Sequence, residues 1–273
     1  MPPRLSVLIP VHNEERTLSA LLDAVEARPE VYELVIVDDG STDATEEILA
    51  SRTFRVRAQV IRHPTHRGKG SALRTAIAAA SGDVAVVQDA DLEYDPTDYP
   101  SLLAPLQRPG VEVVFGTRRF SAHSAYSFWF VMGNKGVTLW SNLLFNSYLS
   151  DLETCYKLMP LEIWRRLDLR SSGFEIEPEI TAKLLKRGHR IFEVPISYAA
   201  RSRAEGKKLT WRDGVRAAWT LTRIRVLPDR GDAARARASD RIDGGTVVPL
   251  PTPLPTDART EAARDGARTS AAR

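Results

Sequence analysis

Val86-Val87-Gln88-Asp89-Ala90-Asp91-Leu92-Glu93 decides how the rest of the chain is read. Apolar residues carry the chain through a buried strand that stops at two carboxylates one residue apart, with a third two residues further on. A parallel α/β sheet binds its ligands at the carboxyl ends of its strands. Carboxylates placed there, with no thiol or imidazole beside them, suit a hard divalent cation that also holds phosphate oxygens. The stretch therefore points to metal-assisted chemistry on a nucleotide diphosphate.

Working outward, the neighbouring segments repeat the pattern. Leu5 to Pro10 is a short apolar run rich in branched residues, a buried strand. Thr17 to Ala27 has helical spacing at Leu18, Leu21, Leu22 and Val25. Leu34 to Val37 is a second strand, ending at Asp38-Asp39-Gly40, and Ser41 or Thr42 can cap the helix that continues through Leu49. Val56 to Ile61, Val84 to Gln88 and Val111 to Phe115 complete a set of five strands. Helices lead to Ala80 and start at Pro96. Strands alternating with helices predict parallel pairing and an α/β class. The alternation weakens after Arg118. Ser124 to Leu149 has an aromatic helical face, Glu175 to Arg187 is a helix, Ile191 to Ser197 a strand, and Trp211 to Leu227 an amphipathic helix. From about Pro228, Ala, Arg, Asp, Pro and Thr dominate. That stretch cannot bury enough apolar area to offset ordering entropy, so residues 228–273 read as a disordered tail.

The chain has 273 residues, 43% of them hydrophobic, enough for one substantial core. A net charge of +3 gives no argument for nucleic acid. The single cysteine, Cys155, excludes an intramolecular disulfide and a cysteine zinc cluster. It reads as a packed small residue. The N-terminus runs into a strand with no signal-peptide pattern. No stretch reads as a membrane span, since Ala125 to Leu149 is interrupted by Asn134, Lys135, Asn142 and Asn146.

Four punctuated segments fall where strands end: Pro10-Val11-His12-Asn13-Glu14-Glu15, Asp38 to Asp43, Gly68-Lys69-Gly70 and Asp89-Ala90-Asp91. Each alone has a turn or cap explanation. Gly-Lys-Gly lacks the spacing of a P-loop. Their order and strand context make the set specific. With VLIPVHNEE, VIVDDGSTD, GKGSALRTAI, VVQDADLEYDP, FGTRRFS, DLETCYKLM and EVPISYAARSRAEGKK, the chain resembles the family 2 glycosyltransferases across residues 4–226. Within them it is most similar to the dolichol- or polyprenyl-phosphate sugar synthases.

The resemblance implies a GT-A fold: a Rossmann-like, mostly parallel nucleotide-binding sheet flanked by helices, with acceptor-side helices towards the C-terminus. It implies one catalytic domain over residues 4–227, a nucleotide-sugar half at about 4–118 and an acceptor half at about 119–227. Pro10, Val11, Asn13, Glu14, Lys69, Asp89 and Ala90 would bind the donor, and Asp39 would contact base or ribose. Asn13 and Asp43 also suit turn chemistry and capping, and Asp95 suits a cap beside Pro96. Asp89, Asp91 and Glu93 would hold Mg²⁺ or Mn²⁺. Arg118 and Arg201, with Arg203 and Lys207, would face the acceptor phosphate. Here Glu205-Gly206-Lys207-Lys208 replaces the usual Gly-Glu-Ser-Lys, which leaves Arg201 and Arg203 both open for that role.

Asp91, Asp151, Arg118 and Arg201 form the expected catalytic set. Asp151 is either a base or an orienting group for Lys157 or an arginine, with orientation preferred. The implied activity is inverting, metal-dependent transfer of a hexose from GDP-mannose or a UDP-sugar to a polyprenyl phosphate. The alternatives are a hydroxyl acceptor with Asp151 as base, a nucleotidyltransferase, and a non-catalytic binding module. A lipid acceptor implies a cytoplasmic protein, peripheral at the inner membrane face or held by a membrane-anchored partner. Trp211, Val215, Ala218, Trp219 and Thr222 share a helical stripe flanked by Arg212, Arg216 and Arg223, and Phe128, Trp129, Phe130 and Trp140 could line a lipid groove. Either stripe also suits core packing.

Overall fold

A computed structural model describes residues 2–118, 128–200 and 211–227, without the side chains of residues 128–130 and 211. Arg119, Arg201, Arg203, Lys207, Lys208 and the expected disordered tail lie outside the described residues.

The first half alternates as its apolar pattern requires: β1 Leu5–Val11, α1 Leu18–Glu26, β2 Val31–Asp38, α2 Thr45–Ser51, β3 Arg57–Arg62, α3 Lys69–Ala79 and β4 Val84–Val87. A short α4, Tyr99–Leu103, sits between single 3-10 turns and leads to β5, Val113–Thr117. There follow α5 Phe128–Phe145, β6 Lys157–Pro160, α6 Leu161–Arg166, α7 Ile176–Lys186, β7 Ile191–Pro195 and α8 Trp211–Val226. The sheet order is β3-β2-β1-β4-β6-β5-β7.

Pairing is parallel except around β6, which runs antiparallel to both β4 and β5. The sheet is mostly parallel, as the sequence led us to expect, with β6 the antiparallel exception. The carboxyl ends of β1, β2, β4, β5 and β7 therefore share one edge of the sheet. The strands of the first half read as apolar runs because β1, β2 and β4 are covered on both faces.

A main core runs through the sheet and the helices against it, including Leu8, Leu21, Val35, Val86, Phe115 and Trp164. A smaller core of Val137, Leu152, Ala182, Ala217, Leu221 and Ile224 joins α5, α7 and α8. The α8 row that faces this core is offset by one position from Ala218 and Trp219, so the helix has both an inner apolar row and an outer one.

Neither Ser41 nor Thr42 caps α2. Ser41 Oγ accepts from the Asn13 amide at 3.0 Å, and Asn13 Oδ1 accepts from the Thr42 amide at 2.8 Å. Asp43 Oδ1 accepts from the Thr45 amide at 3.1 Å. Asp95 caps the turn at Pro96, its carboxylate accepting from the Thr97 amide at 2.9 Å.

Candidate active site

A cavity of about 570 Å³ opens at the shared carboxyl edge. Its lining includes Pro10, Val11, Asn13, Glu14, Asp39, Lys69, Asp89, Ala90, Asp91, Glu93 and Arg118. The segments after β1, β2, β3, β4 and β5 thus bring together the expected residues that lie within the described chain. Asp151 is one side chain further back, behind Arg118.

Each wall has a local cause. Gln88 is buried and its Oε1 accepts from Tyr99 and Tyr156 hydroxyls at 2.8 and 2.7 Å. Its amide nitrogen donates to the Asp89 carbonyl at 3.1 Å, so the carboxylate loop is pinned from beneath. Leu92 takes φ 60°, a left-handed conformation costly for a bulky side chain, between Asp91 and Glu93. The Glu93 amide donates to Asp91 Oδ1 at 3.1 Å, and Tyr198 donates to Glu93 Oε2 at 2.7 Å. The chain after β7 closes the far side through a Tyr94–Tyr198 bridge.

Lys69 sits 2.7 Å from Asp89 and 3.1 Å from Glu177. Burial lowers its pKa, but the Asp89 charge and the other acids outweigh this and hold it well above the usual value. The flanking glycines serve packing. Gly68 has φ 94°, the Gly70 amide donates to the Ser172 carbonyl at 2.8 Å, and a β-carbon at either would meet the backbone of residues 171–172.

Arg118 grips Asp151 through two bonds, Nε to Oδ2 at 2.6 Å and Nη2 to Oδ1 at 2.7 Å. Its guanidinium also lies 5.0 Å from the Tyr198 ring centre. Burial raises the Asp151 pKa, but the Arg118 charge and hydrogen bonds bring it below the ordinary carboxylate value. Lys157, fully buried, pairs with Glu177 at 2.5 Å, not with Asp151. The partner left open for Asp151 is therefore the arginine.

Asp39 Oδ1 and Oδ2 accept from His63 Nδ1 at 2.6 Å, the Arg67 amide at 3.1 Å and the Gly68 amide at 2.6 Å, and His66 Nδ1 lies 2.9 Å from Oδ2. His12 and His66 stack at 3.9 Å in the cavity wall. Cys155 is buried, its thiol pushed well up by burial, which suits packing and not nucleophilic attack.

Residues that sequence reasoning left without a role also line the cavity: Tyr94, Phe174, Glu177 and Tyr198. Phe174, Glu177 and Tyr198 arrive from helices and loops far along the chain, whereas Tyr94 directly follows Glu93 and carries no pattern that marks an aromatic as a wall residue. Among the described residues, no group of three or more His, Cys, Asp or Glu side chains is assembled tightly enough to hold a metal ion alone. Asp89, Asp91 and Glu93 are nonetheless all oxygen donors facing one cavity, the chemistry that a hard cation sharing diphosphate oxygens requires.

The chain and its fold are similar to known proteins. The model for glycosyl transferase family 2 matches residues 6–157, and the chain belongs to that family. It is 29% identical over 210 residues to a dolichol-phosphate mannosyltransferase of Pyrococcus furiosus, covering 75% of this chain and 59% of that protein. It is 32% identical over 123 residues to a dodecaprenyl-phosphate galacturonate synthase of Rhizobium johnstonii, covering 42% of this chain and 36% of that one. The chain thus spans less than two thirds of either relative. Among solved structures, glucosyl-3-phosphoglycerate synthase of Mycobacterium tuberculosis, in complex with Mn²⁺, UDP and glucosyl-3-phosphoglycerate, aligns with TM-score 0.63 at 24% identity, covering 84% of this chain and 82% of that one. That likeness establishes the GT-A fold.

Proposed function

We propose that this chain transfers a hexose, with inversion, from GDP-mannose or a UDP-sugar to a polyprenyl phosphate. The observation that carries this reading is the two-point grip of Arg118 on Asp151 at the wall of the carboxylate cavity. Asp151 is held ionised with both oxygens engaged. That makes it a poor proton acceptor and a good anchor for a cation aimed at the cavity. The names of both curated relatives, which concern lipid-phosphate sugars, support the same acceptor class.

The chemistry needs no base. A phosphomonoester has a second pKa of about 6 and is mostly dianionic at neutral pH. Its oxygen forms the new bond to the sugar C1 as the bond from C1 to the nucleoside diphosphate breaks, and that electron pair leaves on the diphosphate. Attack from the opposite face inverts C1. Pro10, Val11, Asn13 and Glu14, with the Asp39 loop, hold the nucleoside. Lys69 keeps Asp89 in place. Arg118, and by resemblance Arg201, Arg203 and Lys207, hold the acceptor phosphate beside the donor. A Mg²⁺ or Mn²⁺ ion held by Asp89 and Asp91, with Glu93 behind them, would supply Lewis-acid stabilisation of the departing diphosphate.

A lipid acceptor is met at the bilayer. Among the described residues no helix is long and apolar enough to cross a membrane. We assign the contact to the outer faces of α5 and α8 at the inner surface of the membrane, with a membrane-anchored partner as the other route.

Transfer of radiolabelled sugar from UDP-glucose and GDP-mannose, with Mn²⁺, onto farnesyl phosphate and onto a hydroxyl-bearing glycolipid tests the reading. Farnesyl phosphate is the expected acceptor. Asp151→Asn should keep measurable turnover, within about 100-fold of wild type, whereas Arg118→Ala should lose roughly 1,000-fold or more. Transfer to the glycolipid alone, abolished by Asp151→Asn, would install the hydroxyl reading in its place.

A further inference from the structure

The transfer scheme gives no role to the cavity carboxyl of Glu153. Glu153 lines the cavity with Asp91, Arg118 and Tyr198. It lies in the loop before β6, between Asp151 and Lys157, and each of these already has its own partner, Arg118 and Glu177. No hydrogen bond reaches the Glu153 side chain among the described residues. The charges that face it are Arg118 from the end of β5, Asp151 from its own loop, Lys157 from β6 and Glu177 from α7. They cancel in pairs, so among the described residues Glu153 has no counter-ion of its own.

We propose that Glu153 binds the acceptor phosphate, donating a hydrogen bond to a phosphate oxygen while neutral and repelling the dianion once ionised. This rests on the lipid-phosphate reading above. The site must hold a second anion beside a diphosphate, and a neutral carboxyl gives it a donor there without adding negative charge. The environment maintains that neutral form. Burial pushes the Glu153 carboxyl up to about 7, with Lys157 and Arg118 pulling it down and Glu177 and Asp151 pushing it further up. An arriving dianion favours the proton more strongly still.

The test is the KM for farnesyl phosphate between pH 6.5 and 8.5, with UDP-glucose and GDP-mannose as donors and Mn²⁺ present. With a second pKa of about 6 the acceptor is already mostly dianionic at pH 6.5, and its remaining ionisation would lower KM as pH rises, opposite to the expected effect. Wild type should show KM rising by up to about tenfold per pH unit above 7, with kcat changing far less. In Glu153→Gln, which keeps a donor but cannot ionise, KM should stop responding to pH. Glu153→Ala should have a raised KM already at pH 6.5. Melting curves check that both variants fold. They also read the ionisation directly, because the advantage of Glu153→Gln over wild type should grow from pH 5 to pH 8.

An unaltered KM profile in Glu153→Gln would overturn the proposal. So would loss of kcat at every pH, which would make Glu153 a base. If wild type transfers to farnesyl phosphate from neither donor, the lipid-phosphate reading fails first and takes this one with it.

Discussion

Asp39 and Asp91 are both carboxylates at strand ends, yet the structure uses them differently. Asp39 is buried and its two oxygens already collect the ring nitrogens of His63 and His66 and the amides of Arg67 and Gly68. It organises the 63–68 loop, and any contact with base or ribose comes from a residue fixed by that loop. Asp91 faces the cavity, its Oδ1 accepting from the Glu93 amide at 3.1 Å. Asp39→Asn replaces an acceptor with a group carrying two donors among four donors. It should destabilise the fold by roughly 2–4 kcal/mol, seen as a lower urea midpoint, and weaken UDP or GDP binding together with stability. Asp91→Ala should leave the unfolding free energy from urea titration within about 0.5 kcal/mol of wild type while removing the Mn²⁺ dependence of donor binding. If Asp91→Ala binds donor with undiminished response to Mn²⁺, the cation assignment is wrong.

At the scale of elements, legibility followed burial. β1, β2 and β4 were readable because strands covered on both faces become unbroken apolar runs, and their abrupt polar ends marked the cavity rim. β6 was not readable. It is the four residues Lys157, Leu158, Met159 and Pro160, and its first residue is a lysine that the fold buries against Glu177. No periodicity rule allows for a charged residue neutralised by a helix twenty positions later. The Asp89 pairing of Lys69 was hidden for the same reason, although Lys69 itself was placed at the site. The Gly-Lys-Gly glycines, which lack the spacing of a P-loop, prove to be a packing device against residues 171–172. Gly68→Ala should therefore act through stability. A β-carbon at φ 94° meets the Ser172 carbonyl. Unfolding should become easier by roughly 1–3 kcal/mol, with the residual folded fraction still binding nucleoside diphosphate. Normal stability with lost binding would instead put this glycine at the ligand.

The molecule as a whole joins the cavity edge of the sheet to a helical layer that is only partly covered. α5 and α8 share the smaller core on one side and are linked by Trp140 Nε1 donating to Thr222 at 3.0 Å. Their outer rows remain open: Leu139 is 58% exposed, Leu143 68%, Val215 59% and Trp219 67%. Arg212, Arg216 and Arg223 are exposed on the same α8. Apolar side chains interleaved with arginine on an outer helical row match an anionic bilayer surface, where each basic residue contributes about 1 kcal/mol and the apolar ones reach the acyl boundary. Co-sedimentation should show binding to vesicles of phosphatidylcholine with 30% phosphatidylglycerol and little to phosphatidylcholine alone, weakening as salt rises, with ~30% an order-of-magnitude choice of anionic content. Trp219→Ser with Leu143→Ser should reduce binding about tenfold or more, and Arg216→Glu with Arg223→Glu should remove the preference for anionic lipid. Because these side chains are exposed, melting should hardly move and soluble donor binding should persist. A variant that sediments like wild type would show that another surface meets the lipid, and a concentration-dependent dimer lost in the Trp219 and Leu143 variant would show that a second copy of the chain covers this face.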